Sequence, residues 1–316
     1  MKSIKYSIYV FALLLAGACD QEVIDLQQPE VIEDTSCEDA VAGTANFTKF
    51  VAIGNSYVAG FQAGALFTES QDNSLAAILN TQLACVGSPS AFNQPTIGSA
   101  NGYNIQSSIP GVITLGRLIL FDPDGTGPRS AGPYPSAFPG SSVTCPSAVT
   151  TPALPAPYNT ANAPTAFAGD KTAVTNFGVP LIFLGQALIP DTGNPASPYY
   201  NPLWARFASQ PGVKSILEDA LGAAGSFYLI WLGFDDVLLN AATGADGTYP
   251  MTSEAAFSAQ YSGAISTMLG ANPIFKGVVG NIPNITTIPY FFTVKWNQIA
   301  LDAATAESLT TNLANN

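Results

Sequence analysis

Four short apolar runs, each closed by a glycine, constrain this chain more than any other feature. They lie at 49–53, 173–178, 226–232 and 275–280, followed or ended by Gly54, Gly178, Gly233 and Gly280. Apolar runs of four to eight residues bounded by turn signals are the mark of buried strands. Helical spacing fills the segments between them. Asn73-Ser74 is placed to cap a helix carrying Leu75, Ile78, Leu79 and Leu83 on one face. A second helix is expected over 213–224, and a third from about Ser253 with Phe257, Tyr261, Ile265 and Met268 on its stripe. Strands alternating with helices need crossover connections, so the expected fold class is α/β with a mainly parallel sheet covered on both faces.

The run 112–121 is strand-like as well. Residues 122–165 then change character to Pro, Gly, Ser, Thr and Ala. With about ten prolines, this stretch is expected to hold no regular ladder and reads as an insertion into the domain.

The N-terminus reads as an export signal. Lys2 and Lys5 precede an apolar segment, 8–16, too short to span a bilayer, and Ala16-Gly17-Ala18 leads into Cys19. Small residues running into cysteine resemble a bacterial lipoprotein box, with Ala16 where leucine is more usual. That resemblance implies cleavage before Cys19, acylation of Cys19, and a membrane contact through the lipid. Residues 20–46 follow as an acidic tether, with Asp20, Glu22, Asp25, Glu30, Glu33 and Asp34. The expected divisions are therefore 1–19 signal, 20–46 tether and 47–316 domain. An exported location permits disulfides, but spacing leaves the pairing among Cys37, Cys85 and Cys145 open.

A net charge of −12 with only 10 Lys and Arg argues against nucleic acid as a partner, because phosphate recognition needs cations. The chain has no histidine and no metal-type cysteine spacing, so no metal and no cofactor is expected.

In open α/β sheets, sites form beyond the carboxyl ends of strands. The first run is followed by Gly54-Asn55-Ser56-Tyr57, a serine on a tight turn between strand and helix. The second ends in Asn176-Phe177-Gly178, and the third leads into Gly233-Phe234-Asp235-Asp236. Each signal alone is common. Their order, each at a strand end, is far more specific.

These three segments resemble the sequence blocks of the SGNH (GDSL-type) serine hydrolases. FVAIGNSYVAG is similar to the first block in its GNS variant, NFGVP to the second and LGFDDVL to the third, normally Gly-x-Asn-Asp. GNIPNITTIPYF is similar to the segment after the fourth strand in Bacteroidetes lipoproteins of that family. The resemblance covers about residues 47–300. It implies a flavodoxin-like three-layer sandwich and serine-dependent hydrolysis of acyl or acetyl esters. Ser56 would be the nucleophile. The N–H groups of Ser56 and Gly178, with the side chain at position 235, would form the oxyanion hole, supported by Gly54, Asn55, Gly233 and Asp236. The substrate would be a small ester, a lipid or a glycan, and the location the bacterial outer membrane.

Two departures bear on the chemistry. The family's closing Asp-x-x-His has no counterpart, and a serine hydroxyl needs an adjacent base. Asp235 also stands where asparagine would donate a hydrogen bond. An ionised carboxylate there repels the developing oxyanion by about 4 kcal/mol at ~4 Å and an effective dielectric of ~20. A protonated Asp235 would donate instead, and a plain helix-capping role for it is the structural alternative. Near its ordinary pKa, an aspartate is too weak a base to replace histidine.

The resemblance also implies a fifth strand and the missing histidine loop beyond Asn316. Segment 300–316 reads as one helix with Leu301, Ala304, Leu309 and Leu313 on a stripe. The expectation is thus an inactive or strongly impaired hydrolase. The rival readings are a product of a longer gene, or a non-catalytic lipoprotein binding glycan or lipid. The latter would use an aromatic groove drawn from Tyr199, Tyr200, Trp204, Tyr290, Phe291, Phe292 and Trp296.

Overall fold

A computed structural model of the protein describes residues 37, 40–87, 92–105, 113–117, 119–121, 129–131, 166–292 and 302–314. The chain forms two units, Met1–Asp39 and Ala40–Asn316. Of the first only Cys37 is described. The signal, Cys19 and residues 20–36 of the tether lie outside the described residues, as does Cys145. Cys37 and Cys85 are each disulfide-bonded. Among the described residues, no helix is long and apolar enough to cross a membrane, and no cluster of His, Cys, Asp and Glu could hold a metal.

The second unit begins with β1 (Phe50–Gly54), α1 (Ser56–Ala59), β2 (Phe61–Gln62), β3 (Ala65–Leu66), α2 (Thr68–Asp72) and α3 (Leu75–Leu83). Next come β4 (Tyr103–Ile105), β5 (Ile113–Leu115), β6 (Ile119–Phe121), β7 (Arg129–Ala131) and β8 (Asn176–Gly178). After these come α4 (Leu184–Ala187), α5 (Pro202–Ala205), α6 (Ile216–Gly222), β9 (Phe227–Trp231), α7 (Phe234–Ala242) and α8 (Glu254–Ala271). The unit ends with β10 (Lys276–Val279), α9 (Pro289–Phe292) and α10 (Ala303–Ala314).

The fold is α/β with a parallel four-stranded sheet in the order β10-β9-β1-β8. In order of appearance the strands lie 2-1-3-4, compatible with a flavodoxin-like arrangement. Its core follows from the two-residue period of the pleat. Val51, Ile53, Tyr228, Ile230 and Leu232 point to one face, onto Trp204, Phe207, Ile216, Leu217, Ala264 and Met268. Phe50, Ala52, Leu229, Phe227 and Trp231 point to the other, onto Val58, Ala76, Leu75, Leu79 and Leu83. Helices thus cover both faces at the central strands β1 and β9, which is why those two read as unbroken apolar runs.

The helices start where side chains take over the unpaired N–H groups. Ser74 accepts from Ala77 N–H at 3.1 Å and opens α3. Ser215 and Glu218 form a reciprocal capping box at α6, with the Ser215 hydroxyl accepting from Glu218 N–H and Glu218 accepting from Ser215 N–H at 2.7 Å. Ser215→Ala is expected to cost about 1 kcal/mol, read as a lower urea midpoint with an unchanged slope.

Several expectations need correction. The run 112–121 is not one strand, because Gly116 at φ +97° breaks it into β5 and β6, which belong to different sheets. The proline-rich stretch does contain a ladder: Arg129–Ala131, a run free of proline, pairs antiparallel with β6. The rest of that stretch lies outside the described residues. Strand β8 is only Asn176–Gly178, because Asp170 accepts from Thr172 N–H and draws Lys171–Ala173 into a 3-10 turn. The helix expected over 213–224 is Ile216–Gly222, leaving Val213 exposed. Ile78 is also exposed, off the apolar face of α3. Helix α8 keeps its expected stripe: Met268 is buried, and Phe257, Tyr261 and Ile265 pack against the core. In α10, Ala304 is exposed rather than covered, and the side chains of Leu301, Leu309 and Leu313 lie outside the description. β10 is an edge strand, with Val278 and Val279 about half exposed.

Candidate active site

The parallel register carries three strand ends to one level. Gly54 pairs with Gly178 on one side and with Trp231 on the other. The turns after β1, β8 and β9 therefore open onto the same edge of the sheet. Asn55 N–H donates to Trp231 O at 3.1 Å and Val179 N–H to Gly54 O at 2.9 Å, locking the three ends together. Glycine is required at two of them by space. A Cβ on Gly54 would lie 2.4 Å from Val58 Cγ2 and 2.8 Å from Trp231 O, and one on Gly178 would lie 2.3 Å from Ala59 N. At Gly233 the backbone is also left-handed, φ +92°, and a Cβ would meet the Phe257 ring at 2.4 Å.

Asn55 is fully buried and caps α1, its Oδ1 accepting from Tyr57 N–H at 3.0 Å. That cap sets Ser56 at the first position of the short helix. The Ser56 hydroxyl has two partners. Its oxygen accepts from Leu181 N–H at 3.1 Å, and its proton faces Asp235 Oδ2 at 3.5 Å. The same Oδ2 accepts from Ile182 N–H at 3.1 Å, and the Ser56 N–H also bears on the Asp235 carboxyl. Asp235 Oδ1 is buried with no hydrogen-bond partner among the described residues. Next to it, Asp236 accepts from Leu184 N–H at 2.8 Å and from the Thr252 hydroxyl. Three N–H groups of one turn, at 181, 182 and 184, are thus each taken by a site side chain.

That turn is the part the sequence did not disclose. Leu181 adopts φ +56°, a left-handed conformation that costs a branched residue about 1 kcal/mol or more. It aims successive N–H groups at Ser56 and Asp235. Asn201 holds the turn from outside, donating to Pro180 O at 2.9 Å while its Oδ1 caps α5. The Asn201-Pro202 pair was a readable helix-start signal, since proline suits the first helical position. The contact to Pro180 was not readable.

Burial dominates the electrostatics. Asp235 is fully buried, and desolvation pushes its pKa from 3.8 up to about 7. The neighbouring Asp236 anion raises it further, while the N–H and O–H donors pull the other way. Burial raises Asp236 as well, against the bonds from Thr252 and Leu184. Burial thus lifts the Asp235 carboxyl away from the ordinary aspartate range. Nor does Asp235 serve as a cap for its own helix, because its contacts run to the segments at 56 and 182.

Of the sequence-read residues, Ser56, Asp235 and Asp236 come together, with Gly54, Asn55 and Gly233 shaping the turns beneath them. Gly178 is placed at the same edge, but its N–H donates to Asn176 Oδ1 at 3.0 Å. Asn176 in turn donates to Val58 O at 3.1 Å. The N–H that reaches the serine is that of Leu181, so Gly178 supplies close packing rather than a donor in this arrangement. The aromatic groove also loses its centre, because Trp204 is fully buried in the core. Tyr199 is exposed, Trp296 lies outside the described residues, and so do the side chains of Tyr290 and Phe292. A different aromatic group adjoins the serine. Tyr57 stacks on Trp231 with centroids 5.4 Å apart and planes at 14°, beside Phe234. A cleft of 440 Å³ lined by Phe92, Asn93, Gln94, Phe167 and Asp170 adjoins the segment leading into β8, and none of the candidate residues lines it. Comparison of the chain with protein families, with curated proteins and with solved structures finds no match to any of them.

Proposed function

We propose that this protein is a serine ester hydrolase of the SGNH kind, exported and held at a bacterial outer membrane through a lipid on Cys19. Its reaction is hydrolysis of an acyl or acetyl ester on a lipid or glycan, with Ser56 as nucleophile. One observation carries this reading: a serine on a strand-to-helix turn meets the turn after the second strand and the aspartate after the third at one sheet edge. Tyr57, about half exposed and stacked on Trp231, offers a flat apolar surface beside the hydroxyl for the substrate's acyl or sugar part. With no histidine among these 316 residues, the reaction they support by themselves is slow. Where one member of a serine triad is absent, residual catalysis of about 10³–10⁴ over water remains in known cases.

The expected result with a fluorophosphonate probe is weak labelling of the protein and none of Ser56→Ala. Equal labelling of the two would remove Ser56 from any nucleophilic role. The absence of histidine favours a second reading, a non-catalytic lipoprotein that binds glycan or lipid at the same edge. That reading expects glycan-array or lipid-overlay binding that survives Ser56→Ala.

A further inference from the structure

We propose that Asp235 is the proton acceptor for Ser56, so that the two residues form a nucleophile–base pair without any imidazole. The inference rests on the ester-hydrolase reading of the site. Its basis is the set of groups around the carboxyl. Ile182 N–H can only donate to Asp235 Oδ2, Ser56 N–H also bears on the carboxyl, and the Ser56 hydroxyl lies 3.5 Å from the same Oδ2. An oxyanion-hole donor would need a proton on one carboxyl oxygen and an open path from it to substrate. Oδ2 is instead surrounded by donors, and Oδ1 is sealed from solvent.

The hydroxyl is oriented to match. Leu181 N–H occupies a lone pair on Oγ, which leaves the Ser56 proton directed to Asp235 as its one described acceptor. The same N–H stabilises negative charge as it develops on Oγ during proton loss. At 3.5 Å the Oγ to Oδ2 contact is long, as catalytic hydrogen bonds often are before substrate binds. The strained φ of Leu181 is then explained as the means of aiming that N–H.

The chemistry balances within the pair and the substrate. Ser56 Oγ bonds to the acyl carbon as its proton passes to Asp235 Oδ2, and the carbonyl electron pair moves onto the carbonyl oxygen. Collapse breaks the ester C–O bond, and Asp235 returns the proton to the leaving alkoxide. Water then attacks the acyl-serine and gives its proton to Asp235. Release of the carboxylic acid restores the proton to Ser56. A carboxyl held near neutrality suits both directions of transfer. Among groups packed against Asp235, the segments 56–59, 180–184 and 252–253 carry no charged side chain. Tyr57 is their titratable group, and Asp236 is the neighbouring carboxylate.

The test is the rate of fluorophosphonate labelling between about pH 5 and pH 9, for the protein, Asp235→Asn and Ser56→Ala. The expected wild-type rate rises about tenfold per pH unit and levels off above a midpoint near 7, because the base acts as its anion. Asp235→Asn, which keeps an acceptor for Ile182 N–H, is expected to lower the rate at least about a hundredfold. A wild-type rate that falls as pH rises through 7, or an Asp235→Asn rate equal to or above wild type, overturns the pair and makes position 235 a donor. The wild-type profile decides this even where the variant does not fold. Labelling that depends on Ser56 but not on Asp235 defeats this inference alone, whereas no Ser56-dependent labelling at any pH defeats the hydrolase reading with it.

Discussion

Asp235→Asn is expected to make the protein more stable above neutral pH and to leave it nearly unchanged at about pH 4. The folded state holds Asp235 at a pKa of about 7 against 3.8 in the unfolded chain. The folded protein therefore binds the proton more tightly. This contribution to stability is fully present below 3.8 and is lost as pH rises to about 7. The difference corresponds to at most about 4 kcal/mol. Asparagine carries no charge to desolvate, so the variant escapes that loss at about pH 8. Asp236 shifts in the same direction, and part of the wild-type slope remains in the variant. Urea midpoints of both proteins at about pH 4 and pH 8 measure the effect. Identical pH dependence would mean that the Asp235 carboxylate is not penalised by burial. A substitution that adds stability while removing reactivity is the expected signature of a residue kept for chemistry at a cost to the fold.

Gly178→Ala is expected to destabilise the protein by about 3 kcal/mol, at the upper end of the overpacking range. The added methyl would lie 2.3 Å from Ala59 N, 2.5 Å from Val58 C and 2.7 Å from Ala59 Cα. All three are backbone atoms, which no side-chain rotation can move aside. Either β8 separates from β1 or α1 moves outward, and α1 carries Ser56. Loss of Ser56 labelling should therefore accompany the loss of stability. Alanine retains the N–H of residue 178, so neither loss can be assigned to a missing hydrogen-bond donor. An unchanged urea midpoint would show that α1 is not held against β8 as described.

The elements of the sheet were legible because their causes are local. Alternation in Phe50–Gly54 and Phe227–Trp231 reflects a pleat that repeats every two residues, and buried runs follow once both faces are covered. Ser74 announces its helix because a cap acts over three residues, whereas the Ser215 cap, which starts α6 three residues later than its apolar pattern suggests, shows only in the structure. The short β8 is shorter than its apolar run suggests, since Asp170 competes for the same stretch with a local turn. Gly116, with its left-handed backbone, is the one break in a run that otherwise reads as one strand.

Sequence by itself determined that the sheet would be parallel and that a serine, a glycine and an aspartate would stand at the ends of its first three strands. None of the 316 residues is a histidine that could join them. Only the tertiary structure decided what those residues do to one another. Ser56 meets Leu181 across 125 positions and Asp235 across 179, while Asp235 meets Ile182 across 53. Which N–H reaches the serine, and how far burial lifts an aspartate's pKa, depend on these distant contacts and on the exclusion of water around them. A local pattern fixes an element's periodicity, but a pKa is set by everything packed against the group.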